Sequence, residues 1–510
     1  MTSSGAGTPA VLAFDLGTSE LKAALVGLDG ELLAIEGRGY ALDVDPATGT
    51  AEQDPADWWE AAGSVSTALL RAVPNVSVAG VSMVGQGPTL VAADADAAPT
   101  RPAVTWLDTR AARETADLEA AAGMGGWTLG PLAAALRIER FEPGVASRTR
   151  WYLNSWEWLA FRMTDVAATT LSEGQVIAPP EPLVSAGLPA HKHPPRVAAG
   201  SVMGTLTDAS ARHLGLSPGI PVVAGTVDAY GSVIGAGLVD PGDAIDTGGT
   251  SGGFGVIWDR PITIGGAFAS AAPLPGRWLY GGAMSSTGKA LDWLRESILA
   301  GTASVDELLA EAARVPAGAD GLVFLPYLAG ERSPIWDPTA RGVLAGLSLR
   351  HGRAHLVRAV IEAAAMALRH VASVVRGAGV EVRELRVSGG PARSMLWNQV
   401  KADVLGVPVA VPVVRETAAY GAALIAIVGV GAEPDLETAL RRLVRIATRV
   451  EPDAVNRPTY DRLYDAYLTL HPAVAPIVRA LQAPSETPVG AAIDVVPREP
   501  AVVAAEQGAA

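Results

Sequence analysis

A strand, a polar turn and a second strand near the start of the chain constrain its fold most strongly. Residues 11–26 read VLAFDLGTSELKAALV, in which two apolar runs flank a short polar segment. In that segment Gly17 allows the backbone to approach a bulky anion closely, and the hydroxyl groups of Thr18 and Ser19 can donate hydrogen bonds to it. The pattern predicts a β-hairpin whose turn binds phosphate.

The carboxylate directly before this turn needs a partner of opposite charge. Asp15 would repel phosphate unless a cation lay between them, so it is predicted to bind a hard ion such as Mg²⁺, directly or through water. An ordinary hairpin with nothing bound is the alternative. Residues 246–252, DTGGTSG, repeat the order of acid, glycine, Thr and Ser in the second half of the chain. The repeat favours two α/β domains that clamp one nucleotide.

Composition limits the class of protein. With 510 residues, the chain is long enough for two or three domains with sizeable cores. The net charge of −14 and the lack of a long basic run argue against a nucleic-acid surface, and zero Cys excludes disulfides and thiolate sites. No stretch approaches the ~20 apolar residues of a membrane span. We therefore expect a cytoplasmic enzyme that binds neither nucleic acid nor membrane.

Changes of composition along the chain suggest the domain boundaries. A turn at Asp240-Pro241-Gly242 marks the predicted junction between a first domain over residues 10–241 and a second over 242–482. Residues 1–9 are small and polar, without the features of a signal peptide, and are expected to form a disordered tail. Residues 483–510 are rich in Pro, Ala and Glu and are expected to form another.

An aromatic, an acidic and a basic residue alternate after an apolar run. Trp106, Asp108 and Arg110 would share one face of an extended strand. Such a face can bind a sugar through ring stacking and charged hydrogen bonds, and a structural salt bridge is the alternative. Residues 151–158 contain four aromatic residues and are predicted to pack a helix into a core.

Residues 220–237 predict a buried strand followed by a helix of small residues. Asp228 stands at the carboxyl end of that strand, where α/β folds present catalytic groups. A carboxylate in this position can act as a general base toward a bound hydroxyl. Capping the following helix is its alternative role.

Two segments in the second half are candidates for nucleotide binding. Residues 284–294, MSSTGKALDWL, read as the capped start of a helix. Residues 387–392, VSGGPA, end a strand with backbone that carries few side chains, and a flat adenine ring could lie on such a surface.

Taken in order, these motifs resemble those of the FGGY family of carbohydrate kinases, closest to its xylulokinase branch. The resemblance covers roughly residues 10–480. The most specific match is YLAGERSPIWDP at residues 327–338, which continues into the family's C-terminal signature. Residues 15–22 and 249–251 are similar to the family's two phosphate motifs. Residues 106–110 are similar to its W-x-D-x-R segment and residues 225–228 to its G-G-x-D segment. Residues 389–403 are similar to its adenosine motif.

The resemblance implies a fold and an activity. The fold is α/β, with two ribonuclease H-like (actin-like ATPase) domains around a central cleft. The activity is ATP-dependent phosphorylation of a sugar or polyol hydroxyl, with a ketose such as xylulose as the first candidate. The family also implies Mg²⁺ with the ATP, and a homodimer, since dimers are common among its members.

The resemblance further implies roles for single residues. Asp228 is expected to be the general base and Asp15 the ligand of Mg²⁺. Residues expected to contact ATP are Thr18, Ser19, Lys22, Gly249, Thr250, Gly288, Asp292, Gly390 and Ser394. Residues expected to contact the sugar are Gly85, Gln86, Trp106, Asp108 and Asp228. Where xylulokinases have Gln-Met-His-Gly, this chain has VGQG at residues 84–87, which leaves the sugar open.

Two other functions fit parts of the pattern. An actin-like ATPase that acts on a protein partner would share both phosphate turns, but it has no need of Asp228 or of the loop at residues 331–338. A non-catalytic sugar-binding protein on the same fold has no need of Asp15, Asp228 and Thr250 together. The ordered set of motifs favours the kinase.

Overall fold

A computed structural model describes residues 7–122, 129, 131–170, 181–249 and 252–482. Thr250 and Ser251 of the second phosphate turn lie outside the described residues, and so do most of the two expected tails. Over these described ranges, no helix is both long and apolar enough to cross a membrane.

Strands and helices alternate along most of the chain. The strands are β1 (Thr8–Leu16), β2 (Glu20–Gly27), β3 (Leu32–Gly39), β4 (Asp43–Asp45), β5 (Thr50–Gln53), β6 (Val76–Gly85), β7 (Leu90–Ala93), β8 (Ala103–Val104), β9 (Trp151–Asn154), β10 (Val202–Thr205), β11 (Pro221–Val227), β12 (Asp243–Asp246), β13 (Gly252–Trp258), β14 (Phe268–Ala271), β15 (Trp278–Met284), β16 (Val323–Leu325), β17 (Val343–Ala345), β18 (Glu384–Val387), β19 (Val409–Pro412) and β20 (Ile446–Val450). The helices are α1 (Pro55–Ala72), α2 (Ala112–Ala122), α3 (Leu132–Phe141), α4 (Pro143–Arg148), α5 (Ser155–Thr164), α6 (Glu181–Ser185), α7 (Asp208–Leu214), α8 (Asp228–Gly235), α9 (Lys289–Trp293), α10 (Val305–Ala312), α11 (Arg353–Gly377), α12 (Met395–Leu405), α13 (Thr417–Gly429), α14 (Leu436–Leu443) and α15 (Arg457–Leu481).

The chain divides into two units. The first unit comprises the described residues of Met1–Gly237 together with Thr417–Val444, and the second comprises Leu238–Glu416 with the described residues of Arg445–Asp494. The sequence placed the junction at residues 241 and 242, close to this division. It also placed α13 and α14 in the second domain, whereas both belong to the first unit.

Contact between helix backbones explains why α13 belongs to the first unit. A Cβ on Gly421 would overlap the carbonyl oxygen of Gly231 in α8, so the two helices pack with their backbones in contact. Helix α13 also packs on β1 and β6. Tyr420 of the same helix donates a hydrogen bond from its hydroxyl to the carbonyl of Gly30 at 2.8 Å. Its small residues therefore select a partner that lies far away in the sequence.

The main sheet of the first unit has the strand order β10-β11-β6-β1-β2-β3. Strand β1 pairs in parallel with β6 and antiparallel with β2, which places Asp15 opposite Val84 on one side and Lys22 on the other. Strand β1 begins at Thr8, so residues 8 and 9 belong to the sheet and the expectation of a tail there is wrong. A smaller sheet of the same unit has the order β4-β5-β8-β7-β9.

The second unit repeats this plan. Its main sheet has the order β14-β15-β13-β12-β18-β19-β20, and its first strand, β12, pairs antiparallel with β13 and in parallel with β18. Strands β12, β13 and β18 thus correspond to β1, β2 and β6. The duplicated α/β architecture inferred from the two turns is confirmed.

Apolar side chains fill a separate core in each unit. In the first unit, Trp156 and Trp158 of α5 are 3% and 1% exposed, which confirms that the aromatic segment packs into the core. The residues before Ser155 form strand β9 instead of helix, and the carboxylate of Glu157 accepts from the amide of Asn154 at 2.7 Å, where α5 begins. In the second unit, α11 supplies much of the core.

Candidate active site

The first phosphate turn follows β1 in the first unit. The amide of Gly17 donates to the carbonyl of Glu20 at 3.0 Å and closes the turn. The hydroxyl of Tyr40 donates to the carbonyl of Gly17. Burial and the charges of Asp15 and Glu20 together raise the pKa of Tyr40 well above its ordinary value, which keeps the hydroxyl protonated as a donor.

Two buried amide side chains donate hydrogen bonds to backbone carbonyls of the same turn. Gln86 is fully buried, and its Nε2 donates to the carbonyl of Gly17 at 3.3 Å and to Oε1 of Gln53 at 2.7 Å. Nε2 of Gln53 in turn donates to the carbonyl of Thr18 at 2.7 Å. Gln86, predicted to contact the sugar together with its neighbour Gly85, therefore donates one hydrogen bond to the turn and one to Gln53. Its Oε1 is buried without a hydrogen-bond partner among the described residues.

Trp106 reaches the turn from another loop. Its Nε1 donates to Oγ1 of Thr18 at 3.0 Å. The hydroxyl of Thr18 is thereby oriented, since an oxygen that accepts from the indole directs its own hydrogen elsewhere. A residue predicted to contact the sugar thus positions a residue predicted to contact phosphate.

The prediction that Trp106, Asp108 and Arg110 share a face of a strand is wrong. Strand β8 ends at Val104, and the following residues form a turn. Asp108 accepts from the amide of Ala51 at 2.9 Å and forms an ion pair with Arg110 at 2.6 Å. Burial would raise the pKa of Asp108, but the hydrogen bonds from Arg110 and Ala51 outweigh it and the pKa is lowered. The geometry is that of the structural salt bridge, the alternative considered from the sequence.

Asp228 is the first residue of α8, directly after β11. The cap of this helix is Val227, whose side chain makes no capping hydrogen bond, so Asp228 is not the N-cap residue that the alternative considered. Its Oδ1 accepts from the amide of Ala229 at 2.7 Å. The carboxylate therefore stands at the carboxyl end of a buried strand, as the sequence predicted.

Electrostatics links Asp228 to the first turn. Burial, and after it the charge of Asp15, raise the pKa of Asp228 to about 7. Two carboxylates that influence each other in this way form a site of negative potential next to the phosphate turn. Lys22 lies opposite Asp15 on β2, and its Nζ is 3.3 Å from a carboxylate oxygen of Glu20.

The second phosphate turn follows β12 in the second unit. Gly248 and Gly249 both have positive φ, of 39° and 148°, a conformation that glycine adopts readily. The amide of Gly248 donates to Oδ1 of Asp246 at 3.0 Å. The predicted phosphate contact of Thr250 lies outside the described residues.

A pocket of about 250 Å³, part of it open to solvent, lies beside this turn within the second unit. It brings together Gly249 and Gly288, two residues predicted to bind ATP. Its lining comprises Asp246, Gly248, Gly249, Thr287, Gly288, Ala364, Leu368, Pro391, Trp397 and Lys401.

The other residues predicted to bind ATP lie on neighbouring elements. Gly390 precedes Pro391 of the pocket wall and has open space where a side chain would project. Ser394 caps α12, and its Oγ accepts from the amide of Trp397 at 3.3 Å. Asp292 lies in α9, which begins directly after Gly288.

Sequence reasoning missed two charged residues. Lys401 of α12 forms an ion pair of 2.5 Å with Asp246. Glu331 accepts from the amide of Ser285 at 2.8 Å, and burial raises its pKa to about 7. The position of Lys401 among apolar residues of α12 was a sequence signal that it is buried. Its partner Asp246 could not be found in this way, because it lies on a strand that is distant in the sequence.

The repeated sheet order, with a turn after the first strand of each sheet, defines the ribonuclease H-like, actin-like class of α/β proteins. Two models of the FGGY family of carbohydrate kinases match the chain, that of the N-terminal domain over residues 10–177 and that of the C-terminal domain over residues 246–430. The chain belongs to the FGGY family of carbohydrate kinases.

Known relatives agree with this assignment. The chain is 31% identical over 492 residues to the xylulose kinase of Escherichia coli (strain K12), over 90% of this chain and 99% of the relative. It is 26% identical over 496 residues to the gluconokinase of Bacillus licheniformis, over 92% and 96%. The crystal structure of xylulose kinase from Rhodospirillum rubrum matches with a TM-score of 0.79 and 31% identity, over 92% of this chain and all (100%) of that one.

The chain is therefore a carbohydrate kinase, which uses ATP to phosphorylate a small-molecule carbohydrate. An ATPase that acts on a protein partner and a non-catalytic sugar-binding protein, the two alternatives considered from the sequence, are not favoured.

Proposed function

We propose that Asp228 is the general base of this kinase and that the acceptor is a ketose such as xylulose. The observation that carries the base is the pKa of about 7 at a carboxylate beside the first phosphate turn. A base works best when its pKa lies near the working pH, because it is then ionised and still basic. The names of the xylulose kinase relatives support the sugar.

The reaction follows from these assignments. Asp228 accepts the proton of the sugar hydroxyl while the hydroxyl oxygen attacks the γ-phosphorus of ATP. A bond forms between that oxygen and phosphorus, the bond from phosphorus to the β–γ bridging oxygen breaks, and ADP leaves with its electron pair. The turn at residues 17–19 with Lys22, and the pocket beside Gly249 and Gly288, bind and orient phosphate groups. Positioning and charge neutralisation supply most of the catalysis in such transfers.

The residues present fit a magnesium ion at Asp15. The carboxylate of Asp15 offers oxygen atoms, the ligands that Mg²⁺ prefers. Because the charge of Asp15 raises the pKa of Asp228, a bound cation would relieve the repulsion between the two carboxylates. Within the described ranges no three His, Cys, Asp or Glu residues cluster as a metal site. Asp15 would therefore hold Mg²⁺ together with water and phosphate oxygens, and the ion would neutralise charge on the phosphates.

The sugar can be identified with an ADP-release assay on Mg-ATP and a panel of ketoses, aldoses, polyols and gluconate. We expect the highest kcat/KM with xylulose. A higher value with gluconate would contradict the ketose and favour the acceptor named for the gluconokinase relatives.

The base can be tested with Asp228→Asn, which keeps the shape of the side chain and removes its basicity. We expect kcat to fall about 100-fold or more, while the dissociation constant of ATP stays within a few-fold of the wild-type value. Asp208→Asn is the matched control, since Asp208 also stands at the first position of a helix, α7. Wild-type kcat in Asp228→Asn would overturn the assignment.

A further inference from the structure

A buried acid and a buried lysine lie beside the second phosphate turn. Oδ2 of Asp246 is 2.5 Å from Nζ of Lys401, and the two side chains are 6% and 2% exposed. The other oxygen, Oδ1, accepts from the amide of Gly248 in the turn. Either charge alone would be costly to bury, whereas the pair compensates both. Lys401 and the turn are thus connected through a single carboxylate.

The same pair lines the pocket that the turn borders. Asp246, Lys401, Gly248 and Gly249 all contribute to its wall. An anion in this pocket would meet the carboxylate of Asp246 at close range, in a partly desolvated place where charges interact strongly. Because Lys401 is paired with Asp246, the pair carries no net charge. The backbone amides of the turn then dominate the electrostatic potential in the pocket.

A second, independent observation points to a ligand in this pocket. Trp397 lines it and is 4% exposed, and its Nε1 is buried without a hydrogen-bond partner among the residues that the structure describes. An indole N–H can only donate, and buried donors are rarely left unpaired. Nζ of Lys401 lies 5.8 Å from the centre of the Trp397 ring, so the aromatic ring and the ion pair are neighbours in the pocket wall.

We propose that Lys401 is a positioning residue of the nucleotide site, which neutralises Asp246 so that the second turn can accept the polyphosphate of a nucleoside triphosphate. The inference rests on the nucleotide site proposed above for this pocket. In the first unit, Mg²⁺ is proposed to neutralise the acid of the turn. In the second unit, Lys401 neutralises the acid of the turn.

The test compares three variants by titration calorimetry with ATP alone, without sugar. Lys401→Met removes the cation and leaves Asp246 unneutralised, and we expect the dissociation constant of ATP to rise about tenfold or more. Asp246→Asn removes the repulsive charge, and we expect affinity within about threefold of wild type. The double variant carries neither charge and keeps an acceptor oxygen for Gly248, so affinity should return to within about threefold of wild type.

Arg358→Met is the matched control. Arg358 and Glu362 form another buried ion pair in the second unit, 2.6 Å apart with side chains 8% and 2% exposed, and neither lines the pocket. We expect this variant to lower the melting temperature without changing ATP affinity. If Lys401→Met does not fold, weak ATP binding by the double variant would still overturn the proposal.

Two results would overturn the inference. Wild-type ATP affinity in a folded Lys401→Met would reduce the pair to a structural one, and weak binding by the double variant would make Lys401 a direct contact instead of a positioning residue. Failure of the proposed nucleotide site itself is distinguishable, because the wild-type protein would then bind no ATP in the same titration.

Discussion

Trp106 donates its indole N–H to the hydroxyl of Thr18 at 3.0 Å, which joins the loop after β8 to the first phosphate turn. The two residues are far apart in the sequence and were assigned different tasks there, stacking on a sugar and binding phosphate. Their contact makes the geometry of the turn depend on the loop.

This contact predicts the effect of Trp106→Phe, which keeps an aromatic ring and removes the donor. Loss of one hydrogen bond of about 1 kcal/mol corresponds to a roughly fivefold lower kcat/KM for Mg-ATP, measured at saturating sugar. Trp158→Phe is the control, because Trp158 donates to the carbonyl of Ala97 at 3.0 Å, away from the turn. Equal losses of kcat/KM in both variants would contradict the role of Trp106.

The raised pKa of Asp228 predicts how activity depends on pH. A general base must be ionised, so kcat/KM for the sugar should rise with pH through about 7 and then level off. The charge of Asp15 contributes to the shift, so Asp15→Asn should move the titration of Asp228 to lower pH. Carbon NMR of the aspartate carboxyl groups can follow this in the protein without nucleotide, and an unchanged midpoint would contradict the coupling.

The same pKa predicts how stability depends on pH. Because the pKa of Asp228 is raised from 3.8 to about 7, the folded state holds this proton more tightly than the unfolded state does. The stabilisation is complete below pH 3.8 and is lost as pH rises through about 7. Asp228→Asn cannot ionise, so its stability advantage over wild type should be about 2 kcal/mol larger at pH 8.5 than at pH 5.5. Thermal melts at pH 5.5 and 8.5 should show a larger difference at the higher pH.

Contact between the backbones of α8 and α13 predicts a strong effect of a single methyl group. A Cβ on Gly421 would overlap the carbonyl oxygen of Gly231, so Gly421→Ala should destabilise the protein by about 1–3 kcal/mol. Gly377→Ala in α11 is the control, because nothing lies within 4 Å of its Cβ position. It should be neutral or slightly stabilising by urea unfolding, since Ala favours helix. A neutral Gly421→Ala would show that the helices can separate at no cost.

The indole N–H of Trp397, which has no hydrogen-bond partner in the described part of the chain, predicts a further effect on the nucleotide site. Trp397→Phe keeps most of the buried ring and removes the donor, so we expect ATP affinity to fall about threefold to tenfold and stability to change little. Calorimetric titration with ATP and thermal melts measure the two quantities. Unchanged affinity with reduced stability would assign Trp397 to the core alone.

The sequence by itself determined the local parts of this protein. Apolar runs predicted β1, β2 and β11, and the repeated acid-glycine-Thr-Ser order predicted two α/β domains of one plan. The position of Asp228 after a buried strand also followed from the chain alone. These features depend on residues close in sequence, whose spacing is set by the geometry of strands, helices and tight turns.

Only the tertiary structure decided which distant groups meet. It brought Lys401 to Asp246 and Trp106 to Thr18, directed Asp108 to the amide of Ala51, and packed α13 on α8 in the first unit. No local pattern specifies such partners, because an ion pair or a hydrogen bond to a side chain depends on where two separate elements are placed by the packing of the core. The pKa of Asp228 was undetermined for the same reason, since burial and the charge of Asp15 exist only in the folded chain.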